Sequence, residues 1–172
     1  AHDFTDVLRE RPVNVTCRVS LNYSRETIAF HREMIVRKLQ GYIQEERLKR
    51  VYYFKELKNN KVSISPFGFG EACYRDFETI LAGALLFKPN MDHLETWPPV
   101  YVPNQTYIPF NWDANDVEEK IEWYLSRDTQ RSAISRNAQK VYQTYLSDAD
   151  SGEKFAYHFL HLIRKSLQAS VN

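Results

Sequence analysis

Hydrophobic positions along this chain switch between a period of two and a period near 3.6 several times. Residues 12–21 place Val13, Val15, Cys17, Val19 and Leu21 on alternate positions, which predicts a strand. Residues 22–26 are a polar loop in which Ser24 can cap the next helix. Over residues 26–50 the apolar positions Ile28, Met34, Ile35, Leu39, Tyr42 and Ile43 return mostly at helical spacing, with charges on the other face. Residues 51–54 fit either a short strand or the opening of a further helix, and Asn59 and Asn60 end that element. A strand over 61–65, a turn over 66–70, a helix over 71–82 and a strand over 84–88 follow. Gly83 is a good residue for the position just past a helix. Residues 106–110 read as a short edge strand, because Pro109 cannot donate to a ladder. Asn115 with Glu118 resembles a capping box, and helices are predicted to about 125, over 128–146 and over 151–169.

Strands alternating with helices predict an α/β fold, a Rossmann-like parallel sheet flanked by helices with further helices at the C-terminus. Nothing in the pattern suggests a linker, so residues 1–172 are expected to form a single domain. Ligands of such sheets bind at the carboxyl ends of the strands. That rule directs attention to the loops at 22–26, 66–73, 89–98 and 109–115.

Composition removes several classes. A formal charge of +1 is too small for a general nucleic-acid binder, and no nucleic-acid partner is expected. The short basic run Arg47, Lys49 and Arg50 follows Glu45 and Glu46, which offset it. Two cysteines, Cys17 and Cys73, are too few for a disulfide framework or a structural zinc site, and reduced thiols in a cytoplasmic protein are expected. Three sequons, beginning at Asn14, Asn22 and Asn104, acquire meaning only in a secreted chain. The first eleven residues are polar and charged, unlike a signal peptide, and Ala1 in place of methionine suits a chain that begins inside a longer protein.

The segment with the most chemistry is 61–89. Gly68 and Gly70 lie between a strand and a helix, where bare backbone turns tightly and can approach a ligand. Amides of the first helical turn attract an anion, most naturally a phosphate. Arg75 can add a bidentate contact to a diphosphate, and Glu78, one turn on, can accept from ribose hydroxyls. Helical spacing would put Glu71, Arg75 and Glu78 on one stripe. The bland alternative is a surface helix carrying a weak ion pair.

The run SPFGFGEACYRDFETILAGALLFKP, followed by MDHLETWP and the helix start Trp112-Asp-x-x-Asp116, resembles the donor-binding C-terminal half of GT-B glycosyltransferases. Its nearest pattern is that of the "glycosyl transferases group 1" families that include spore-maturation-type proteins. The likeness covers about residues 60–145. It implies half of a GT-B fold that binds a nucleotide diphosphate sugar at Gly68, Phe69, Gly70, Arg75 and Glu78, with Glu78 on the ribose. It also suggests Arg25 as a further contact to the donor phosphates. By the same likeness Glu71 stands near the donor sugar, although Glu71 and Glu78 are separated by six residues where the family has seven. The implied activity is sugar transfer to an acceptor, without a cofactor or bound metal. The N-terminal acceptor domain, or a partner chain, would complete the enzyme.

Other readings compete. Gly68-x-Gly70-x-x-Cys73 with Asp92 downstream is a partial dinucleotide fingerprint, but cysteine at the third position obstructs close helix–strand packing. Asp92, His93 and Glu95 follow a strand end and are candidates for acceptor contacts or, at His93, a catalytic base. The plainer reading of that cluster is a solvated loop, and adjacent Asp92 and His93 cannot readily share a metal ion. His31 is expected on a helix surface, and His158 and His161 on the core or rim of the last helix. The alternative function is a non-catalytic nucleotide-binding or interaction module with the same fold.

Overall fold

The computed structural model describes residues 4–42 and 48–169. Its sheet has four parallel strands in the order β1 (Val13–Thr16), β2 (Asn60–Ile64), β3 (Leu85–Pro89) and β4 (Ile108–Phe110). Helices α1 (Glu26–Lys38) and α2 (Arg50–Asn59) connect β1 to β2, and α3 (Tyr74–Ala82) connects β2 to β3. Helices α4 (Val117–Leu125), α5 (Asp128–Ser147) and α6 (Ser151–Ala169) follow β4. The molecule has a Rossmann-like α/β fold.

The two central strands are buried along nearly their whole length because both faces are covered. Val62, Ile64, Leu85 and Phe87 point to one side, where Ile35 of α1, Leu39 just past its end, Val117 and Ile121 of α4 and Ile134 of α5 close the main core. Leu86 points to the other side and packs with Phe67, Met91 and Tyr107. There Thr79 of α3 donates to Ser63 across 3.1 Å, satisfying the one hydroxyl that β2 buries against the helix. The register Val62↔Leu85 and Ile64↔Phe87 keeps these alternating sets in line. Pro109 sits on the edge strand β4, as its missing amide requires.

Four local points are settled by the structure. The helix expected over 26–50 ends at Lys38, with Gly41 in the turn beyond it, and Ile43 lies outside the described residues. Residues 51–54 are helical. A strand there has no place, since β1 pairs directly with β2. The helix expected from Glu71 starts instead at Tyr74, because Asp76 reaches back to accept from the Cys73 amide at 3.0 Å. Neither Ser24 nor Asn115 caps a helix; the cap positions are Arg25 and Asp116. Asp116 instead accepts from the Asn111 amide at 2.8 Å and pairs with Lys120.

All four strands run the same way, so their outgoing loops converge on one edge. Under that edge lies a buried polar cluster. Asp76 and Lys88 pair at 3.0 Å with neither side chain exposed. The same carboxylate accepts from Ser65 and from the Tyr101 phenol. These contacts tie the turn after β2 to β3 and to the loop that follows it.

Candidate functional site

The turn after β2 separates two cavities. The larger, about 610 Å³, is walled by Gly68, Phe69, Gly70, Arg75 and Glu78 of the predicted set. Tyr23, Arg32 and Tyr53 close it from the other side. The smaller, about 220 Å³, is lined by Arg25, His31, Phe67, Glu71 and Trp112, with Gly68, Phe69 and Gly70 as the shared wall.

Arg75 and Glu78 stand three residues apart on α3 and so face the same cavity. The Tyr53 phenol, from α2, donates to Glu78 at 2.9 Å. Burial pushes that phenol above its usual range; the Arg75 charge opposes this and the Glu78 charge adds to it. Tyr53 therefore stays a neutral donor and orients the carboxylate. The Arg75 Nε is buried without a hydrogen-bond partner. Arg32 supplies the facing cation. Its Nε donates to the Phe67 carbonyl and one Nη to the Ser20 carbonyl, both at 2.9 Å. Its guanidinium also lies over the Tyr23 ring, 4.2 Å from the centroid. Two guanidiniums on one cavity suit a diphosphate better than a lone helix terminus would. Part of the helix-end capacity is already used, since the Asp76 carboxylate occupies the first turn of α3.

The turn itself differs from expectation. Neither Gly68 nor Gly70 has a positive φ; among glycines that conformation occurs at Gly83. A Cβ at Gly70 would meet nothing within 4 Å. The bare backbone is thus not needed for the turn and leaves open space where the two cavities adjoin.

Glu71 parts from the stripe expected of it. Because α3 begins at Tyr74, Glu71 belongs to the turn and lines the smaller cavity. His93 Nε2 lies 3.9 Å from its carboxylate, and both side chains are nearly half exposed. Arg25 lines the smaller cavity and not the larger one, with its guanidinium over the Phe69 ring at 5.6 Å. Among the described residues no three His, Cys, Asp or Glu side chains gather as a metal site. Cys73 fills the helix–strand contact, its thiol raised by burial and by Asp76 beside it.

Arg32, Tyr53 and His31 were not singled out from the sequence as site residues. His31, expected on the surface, is 3% exposed. The signal existed: His31 and Arg32 fall between Ile28 and Ile35 at three- and four-residue steps, on the buried stripe of α1. His158 is on the rim, stacked on Trp97 at 4.9 Å.

No family model matches the chain. A 41-residue segment, 24% of this chain, is 46% identical to "Uncharacterized protein 179R" of Invertebrate iridescent virus 6. The match spans 4% of that protein's length. No helix among the described residues is long and apolar enough to cross a membrane.

Proposed function

We propose that the chain is the donor-binding half of a GT-B glycosyltransferase, holding a nucleotide diphosphate sugar in the larger cavity for transfer of the sugar to an acceptor. The observation that carries this reading is the meeting of Arg75, Arg32 and Glu78 on one cavity at the carboxyl edge of a parallel sheet. The two guanidiniums stabilise the charge that grows on the departing diphosphate, which is where an enzyme of this kind lowers its barrier. Glu78, oriented by Tyr53, accepts from the ribose hydroxyls. Glu71, on the smaller cavity, and His93, 3.9 Å from it, are the acid–base candidates on the sugar side. The acceptor would be held by a further domain or a partner chain, and a cytoplasmic setting suits a nucleotide-sugar donor.

Calorimetric titration with UDP, GDP and their sugar conjugates tests this. At least one nucleoside diphosphate should bind, and Arg75→Ala should weaken it by about tenfold or more, as expected for a charge-assisted contact worth roughly 1.5–3 kcal/mol. Binding by none of them sinks the reading. Binding without sugar hydrolysis or transfer favours a non-catalytic module of the same fold.

A further inference from the structure

The smaller cavity contains a polar group that the fold leaves unsatisfied. His31 is buried, and neither of its ring nitrogens has a hydrogen-bond partner. Buried polar side chains are nearly always paired, so an orphaned imidazole on a cavity wall points to a ligand. Its position is fixed by aromatic packing: the Phe67 ring stacks on it at 5.2 Å and the Trp112 indole leans on it at 4.7 Å.

The chemistry of the walls narrows the guest. Burial lowers the His31 pKa below its ordinary value. The Trp112 main chain opposes this, approaching the ring without completing a hydrogen bond, and the Arg32 and Lys88 charges add to it. A neutral imidazole offers one donor and one acceptor, the complement of a hydroxyl group. Arg25 and Glu71 carry opposite charges on the same cavity, so neither an anion nor a cation is favoured. Trp112 and Phe69 present half or more of their surface to solvent beside it, giving flat apolar faces. Gly68, Phe69 and Gly70 wall both cavities, so one ligand can straddle the turn.

We propose that the smaller cavity is a subsite for a neutral hydroxylated ring, with His31 as its hydrogen-bonding anchor and Trp112 as its stacking face. Its assignment to the sugar moiety of the donor rests on the nucleotide-sugar reading above. His31 is then a positioning residue that selects among sugars by their hydroxyl pattern.

The test compares wild type, His31→Phe and His31→Gln by calorimetry with UDP, GDP, UDP-glucose and GDP-mannose. If a nucleoside diphosphate binds, the sugar should add affinity over the bare diphosphate. His31→Phe should reduce that ratio by about tenfold, with His31→Gln recovering part of it. An unchanged ratio in a folded His31→Phe protein overturns the subsite while leaving the donor-site reading intact. If no nucleoside diphosphate binds, the donor reading fails separately. The subsite then stands or falls on the wild-type protein with free glucose, galactose, mannose and N-acetylglucosamine. A shift of the His31 ring-nitrogen NMR signals by one of them supports it, and no shift by any overturns it. The same NMR measurement decides the matter if His31→Phe does not fold.

Discussion

At the scale of single residues, the glycines make opposite demands. Gly83 ends α3 with φ +70°, and a Cβ there would stand 2.8 Å from the Thr5 carbonyl. Left-handed backbone costs an L-residue roughly 1–2 kcal/mol before any clash is counted. Gly83→Ala should therefore lower stability by at least that amount in urea unfolding. Gly70→Ala should change stability by no more than about 0.5 kcal/mol, since its φ is not left-handed and the space is open. A large loss at Gly70 would mean that the turn is strained after all. His31 gives a second prediction. Its folded pKa lies below the ordinary 6.5, so below that pH the unfolded chain binds the proton more readily. The stability held at neutral pH should decline as pH falls from 6.5 towards the folded pKa, by at most about 1.4 kcal/mol per pH unit. Urea midpoints at pH 5, 6 and 7 should show this component in wild type and not in His31→Phe. Equal pH slopes in the two proteins would mean that the imidazole is not held neutral.

At the scale of elements, the turn after β2 is held from below by the Asp76–Lys88 pair. Both side chains are fully buried, so removing one partner leaves an uncompensated charge in the interior. Lys88→Met should cost about 3–5 kcal/mol, and adding Asp76→Asn should restore part of that rather than add to it. Additive losses in denaturant unfolding would show that the two groups act independently. The same pair explains what the sequence made legible and what it hid. Strands β2 and β3 are short runs bounded by turn residues; Gly83 marks the start of β3 and Pro109 the edge position of β4 by backbone chemistry alone. The start of α3 was hidden because it is set by the Asp76 carboxylate, which is neutralised by Lys88, twelve residues on and on β3. Glu71 consequently left the predicted stripe. Residues 51–54 were ambiguous locally, and only the direct pairing of β1 with β2 decides for helix.

At the scale of the whole molecule, the site is an intersection that no single segment spells out. Gly68, Gly70, Arg75 and Glu78 were legible because one continuous segment carries them. Tyr53 was not, because residues 51–54 fit strand or helix equally, and Arg32 reads only as a buried-stripe position of α1 until the fold turns it towards the cavity. The same intersection predicts where the molecule is firm. Val62, Ile64, Leu85 and Phe87 are fully excluded from solvent, and β2 and β3 are each paired on both sides. Helix α6 is the contrast: Phe155, Phe159, Leu160 and Leu167 remain half or more exposed, and Trp97 stacks on its His158. Apolar burial sets the free energy of local opening, so opening should become easier from the central strands outward. Native-state hydrogen exchange should give β2 and β3 amides the highest protection, approaching the global unfolding free energy, and α6 amides the lowest among the helices. A sugar nucleotide held at the turn should raise protection in α1 and in the first turn of α3, which carry Arg32 and Arg75, while leaving α6 unchanged. Protection rising mainly in α6 would place the ligand away from the strand ends and break the link between sheet edge and site.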